Sequence, residues 1–165
     1  MRIYVVLFKQ AVFLCVFLFL SIQMFAQTAV EPKGNGTETN PYQIESLRNL
    51  YWLSKNSSSW DKHFIQTESI YASSTEEWAE GKGFIPVGNN TVNFTGTYNG
   101  KGHIIDGLYI NRPSRTEVGL FGNVEGNKAR IENLGVINVD IEGKQVTGAL
   151  AGIIRNAAIK KSYTT

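Results

Sequence analysis

The apolar residues change texture three times along the chain. Ala11 to Ile22 runs without a charge behind Arg2 and Lys9, and Ala26 places a small residue shortly after it. A basic start, an apolar run and a small-residue cleavage position predict a secretory signal peptide over residues 1–26, with Gln27 as the mature start. The competing reading is an uncleaved anchor, since Ile3 to Phe25 approaches the roughly 20 residues needed to cross a bilayer. Lys9 and Gln10 interrupt that stretch.

Residues 27–41 are polar, rich in Gly, Asn and Thr, and without periodicity; they read as a linker. Tyr42 to Ile44 then reads as a short extended piece. Leu47, Leu50, Tyr51 and Leu53 fall at helical spacing behind Ser46, a residue suited to capping a first turn. The run Asn56-Ser57-Ser58-Ser59 ends that helix. Beyond Phe84, short apolar runs alternate with Gly and Asn clusters, which is the punctuation of β-structure.

The β-rich part repeats itself. Ile105-Asp106-Gly107-Leu108-Tyr109-Ile110 matches Ile131-Glu132-Asn133-Leu134-Gly135-Val136 at an offset of 26, and Ile159 begins a third copy 28 residues later. Gly119-Leu120-Phe121-Gly122 matches Gly148-Ala149-Leu150-Ala151-Gly152, with Gly122 and Gly152 separated by 30. Such periods signal a solenoid, in which one unit cannot bury its own apolar face. Leu134 and Val136 alternate, as do Val139 and Ile141, with a change of phase at Ile137-Asn138 where a strand must bend. The expectation is a mainly β protein, the first coils of a parallel β-helix, with a small N-terminal cap containing one helix. Leu134, Val136, Val139, Ile141 and Leu150 should stack inward. The divisions expected are a signal at 1–26, a linker at 27–41, a cap region at 42–100 and repeats at 101–165. The repeats stop part-way through a unit at Thr165, so a longer parent chain with about two coils in this part is expected.

Phe94 to Ile105, Gly119-Leu120-Phe121-Gly122, Ile131 to Val136 and Gly148 to Gly152 together resemble the GLUG-motif repeat proteins. These are secreted bacterial adhesin-like proteins and the non-catalytic repeat region of some immunoglobulin A peptidases. The resemblance covers residues 40–165. It implies scaffold positions, Gly119, Leu120, Phe121, Gly122, Ile131, Leu134, Val136, Gly148, Leu150 and Gly152, and it implies no substrate.

Charge narrows the function. Arg2 and Lys9 leave with the signal, taking the net charge from +2 to zero. No Lys/Arg-rich block remains, so nucleic acid is not an expected partner. Cys15 leaves as well, and with it any disulfide or thiolate chemistry. His63 and His103 have no HExxH context. No metal site or cofactor is therefore expected, and His103 reads as a turn residue. Asp106, Glu132, Asp140 and Glu142 could supply the two carboxylates that a glycosidase needs. Outward positions on β-coils are polar by default, however, and no catalytic residue is assigned.

Tyr98 and Tyr109 are the candidate binding residues, with Trp60 and Trp78 as further aromatics. Trp52 and Trp60 read rather as covers for the end of the solenoid. The leading expectation is a non-enzymatic secreted or cell-surface bacterial scaffold, adhesin-like, with a protein or glycan ligand. It meets the membrane only through its signal during export. A glycan-cleaving β-helix enzyme and the leader of a secreted peptidase remain the alternatives.

Overall fold

The computed structural model describes residues 27–165; the proposed signal at 1–26 lies outside them. The chain opens with β1 (Tyr42–Ile44) and helix α1 (Leu47–Lys55). Ser46 caps α1 by accepting a hydrogen bond from the Asn49 amide, at 3.3 Å. A 3-10 turn over Ser57–Ser59 follows, and then β2 (His63–Gln66), β3 (Ile70–Tyr71) and a second 3-10 turn over Ser73–Glu77. Two sets of five strands come next. The first is β4 (Thr97–Asn99), β5 (Ile104–Asp106), β6 (Tyr109–Arg112), β7 (Glu117–Val118) and β8 (Phe121–Glu125). The second is β9 (Arg130–Glu132), β10 (Gly135–Ile137), β11 (Asp140–Gly143), β12 (Val146–Thr147) and β13 (Ala151–Arg155), and β14 (Ala158–Lys160) and β15 (Tyr163–Thr164) start another turn.

Every named strand pairing is parallel and joins residues about one coil apart. Sheet A has the order β1-β2-β4-β9-β14, and sheet B has β3-β5-β10-β15. Three two-stranded ladders, β6-β11, β7-β12 and β8-β13, complete the circuit. This is the expected parallel β-helix with a small helical cap, and it makes about three turns rather than two. Sheet A already begins at β1, so the stack starts well before residue 101. Residues 27–41 also pack more closely than a free linker. The Val30 amide donates to the Arg48 carbonyl at 3.2 Å, and Asn49 Nδ2 donates to the Val30 carbonyl at 3.0 Å.

The stack is held by columns of side chains. In sheet A, Tyr42, Phe64, Tyr98, Ile131 and Ile159 occupy one register. In sheet B, Ile70, Ile105, Val136 and Thr164 do the same. Leu134, Val136 and Leu150 are buried as expected, while Val139 and Ile141 are half-buried against the same core. Parallel stacking needs each residue to find an apolar neighbour one coil above and below, so this column packing is where the burial energy resides.

The offset of 26 does not survive as a coil-to-coil register. Ile105 lies beside Val136, 31 residues on, and Ile131 lies beside Tyr98. The likeness has another cause. Ile105-Asp106-Gly107-Leu108 and Ile131-Glu132-Asn133-Leu134 each turn a corner with a left-handed third residue, Gly107 at φ 74° and Asn133 at φ 53°. Val136-Ile137-Asn138-Val139 repeats the device with Asn138 at φ 50°, and Ile159-Lys160-Lys161-Ser162 with Lys161 at φ 47°. Glycine and asparagine enter this region at least steric cost. The sequence unit is thus a corner, used at more than one place around each coil. By contrast, Ile131 and Ile159, and the segments Phe121–Glu125 and Ala151–Arg155, are true coil-to-coil partners at offsets of 28 and 30.

Candidate functional site

The repeat glycines are close-approach positions. A side-chain carbon at Gly122 would meet the Gly88 carbonyl oxygen at 2.5 Å, and one at Gly152 would meet the Gly122 carbonyl oxygen at 2.9 Å. One at Gly119 would meet the Gly148 carbonyl oxygen at 2.4 Å, and one at Gly148 the Ala151 carbonyl oxygen at the same distance. The first three contacts let successive coils nest where β7 turns into β8 and β12 into β13, and the last tightens the β12–β13 turn itself. Leu120 and Phe121 project from that turn into the core and are fully buried. The Phe121 ring lies 5.0 Å from Phe94 and 5.6 Å from Tyr98.

Tyr98 is therefore not a surface binding residue. Its ring is buried to 0% exposure in the sheet A column, and its hydroxyl donates to Gln66 Oε1 at 3.0 Å. Gln66, equally buried, donates through Nε2 to the carbonyls of Glu68 and Ile104 at 2.8 and 2.9 Å. Burial pushes the Tyr98 hydroxyl well above the ordinary tyrosine value. An aromatic at an inward strand position is core unless the pleat phase says otherwise, and Tyr98 lies between the outward Thr97 and Asn99. Tyr109 is half-buried against Gly83.

The tryptophans gather around the cap. Trp60 Nε1 donates to the Leu53 carbonyl at 2.7 Å and the ring is buried. Trp52 packs on Tyr42 at 5.3 Å, and Trp78 packs on Tyr51 at 4.9 Å. Two arginines tie the irregular part of the first coil to the second. Arg112 donates to the carbonyls of Phe84 and Gly83, at 2.9 and 3.0 Å, and Arg115 donates to that of Gly88 at 3.0 Å. Burial lowers the pKa of both guanidinium groups, and for Arg115 the neighbouring Arg112 adds to it.

The carboxylates do not converge on one point. Glu132 lies on sheet A, where it accepts from Asn99 Nδ2 at 3.0 Å and faces Arg130 at 3.9 Å. Asp106 lies on sheet B and accepts from Asn138 Nδ2 at 2.8 Å. Asp140 and Glu142 belong to β11, on a third face. His63 Nδ1 pairs with Thr97 Oγ1 at 2.9 Å, and His103 lies at the corner before β5. No group of three or more His, Cys, Asp or Glu arranged for a metal ion occurs among the described residues.

Two of the surface clefts are lined by described residues alone. One of about 510 Å³ lies between the Asn89–Val92 loop and the segment from Ser114 to Glu117. The other, about 350 Å³, lies on the outer face of sheet A and includes His63, Thr97, Asn99, Lys101, Arg130 and Glu132. Pattern reading missed two exposed aromatics of sheet B, Tyr71 at 74% and Tyr163 at 54% exposure. Their outward phase was available from the strand alternation, since each lies next to an inward column position.

No family model matches the chain, and no solved structure matches it. Among curated proteins it is similar to halomucin of Haloquadratum walsbyi, 40% identical over 121 residues. It is also similar to a protein named as a Gly-rich membrane protein in Evansella cellulosilytica, 32% identical over 142 residues. These matches take in 72% and 82% of this chain but only 1% and 16% of the two relatives.

Proposed function

We propose that this chain is part of a secreted or cell-surface repeat scaffold of the GLUG-motif type, non-catalytic and adhesin-like. The observation that carries the reading is the joint one of a stacked parallel β-helix and 40% identity to halomucin through 72% of the chain. A solenoid offers a long ridged surface whose outward residues are free to vary while the columns and corners are kept. The scattered carboxylates, each engaged elsewhere or on its own face, favour binding over hydrolysis. The test is export. Produced with its own N-terminus in a bacterial host, the protein should leave the cytoplasm, begin at or near Gln27 on N-terminal sequencing, and be digested by protease added to intact cells or recovered from the medium. A product that keeps Met1 and stays in the cytoplasm would overturn the reading.

A further inference from the structure

From the corner where sheet A meets sheet B, we infer a binding site for an acidic polysaccharide. The inference rests on the surface-scaffold reading and names its ligand class. The aromatic element is Tyr163. The tip of its ring lies across β10 at Gly135, where a side-chain carbon would meet Cζ at 2.6 Å and the hydroxyl oxygen at 2.7 Å. Gly135 therefore makes the seat that holds one face of the ring, while the residue remains 54% exposed. A ring pinned on one side and open on the other is a platform for the C–H face of a sugar. Tyr71, 74% exposed, stands on the outer face of the same sheet at its opposite edge, three strand spacings up the stack and two residues further along the strand, roughly 16 Å away.

Charge selects the class of sugar. The sheet A–sheet B corner carries Lys101 on the second coil and Lys161 at the start of the fourth, both exposed with left-handed backbones. They are two strand spacings apart, roughly 10 Å. Lys160 is adjacent, and none of the three lysines makes an ion pair among the described residues. Three acids stand nearby against four cations, the lysines and Arg130; Glu132 is the register partner of Lys160 and Asp106 that of Tyr71. Glu132 is held by Asn99 and Arg130, Asp106 by Asn138, and Glu68 stands at the first-coil end of the same corner. Cations spaced along the solenoid axis beside a stacked ring complement a chain of uronic acids. They do not complement a neutral glucan.

The experiment is affinity electrophoresis of the full exported chain through gels containing polygalacturonate, with dextran as the neutral comparison. Polygalacturonate should retard the protein, less so as sodium chloride rises, and dextran should not. Tyr163→Ala should weaken retardation about tenfold, and Gly135→Ala should do so too by unseating the ring. The double variant Lys101→Gln/Lys161→Gln should weaken it and flatten its salt dependence, while Lys128→Gln should match the parent. Circular dichroism on each variant separates lost binding from lost fold. Equal mobility with and without polygalacturonate, or unaltered retardation of folded variants, overturns the site. So does equal retention by sheared DNA or by anionic phospholipid vesicles. A chain exported to the surface but not retarded sinks the ligand alone, and one retarded but retained in the cytoplasm sinks the scaffold reading.

Discussion

The second and third coils are built from the same parts and buried to different depths. In the second, Ile110, Val118, Phe121 and Val124 are all fully buried. Their partners one coil on are Ile141, Thr147, Ala151 and Ile154, which are half-buried or exposed, Ile154 by 45%. The second coil has the first stacked on one side, where Val87 and Phe94 bridge to Phe121 and Val124, and the third on the other. The third has a strand of the fourth only along sheets A and B. Depth in a solenoid is thus conferred by neighbours: of the one like-for-like pair, Ile110 is fully buried and Ile141 half-buried.

The sharpest way to break this comparison is Phe121→Ala. Removing a ring that touches Phe94 and Tyr98 at full burial should cost about 3–5 kcal/mol by urea denaturation. A cost under about 1 kcal/mol would mean that the second coil is not the centre of the fold.

Tyr98→Phe sharpens the comparison through pH. It leaves Gln66 Oε1 without its donor and should cost about 1–3 kcal/mol at neutral pH. The folded-state pKa of Tyr98 is raised, so above the ordinary value of 10.0 the unfolded chain loses a proton that the native one keeps. Stability from this group is complete below pH 10.0 and declines as pH rises beyond it. The parent should lose stability on that alkaline side more steeply than Tyr98→Phe; parallel denaturation curves from pH 9 to 11 would contradict the burial.

The smallest effect belongs to the third coil. Ile154→Ala should change stability by no more than about 0.5 kcal/mol, as surface substitutions do. A loss as large as that for Phe121→Ala would show that this edge is covered in solution.

Pattern reading reached the helix at Leu47, the parallel coils and the inward column of Leu134 and Val136, because periodicity and turn chemistry are local. It misjudged the burial of Tyr98, whose inward phase follows from the alternation of β4, and the register at Ile105, for a different reason. The corner unit of inward residue, outward residue, left-handed residue and inward residue is legible in sequence, but its position around the coil is set by distant partners. The four residues from Gly100 to His103 separate β4 from β5, whereas Asn133 and Leu134 alone separate β9 from β10. Offsets between coils therefore vary, from 33 at Thr97 and Arg130 to 28 at Arg130 and Ala158. A fixed period cannot find them.

The parallel register also governs how the molecule would answer a mechanical load. Each strand is fastened only to the level above and the level below, so a pull on the C-terminal end works on one ladder at a time and unzips the stack instead of shearing it. From Phe121 to its partner Ala151 the chain runs 30 residues around the coil. Each level released would therefore pay out about 100 Å of slack while the remaining levels kept their shape. Under tension such a stack would act as a spool, lengthening in steps and rewinding from the coils still in place.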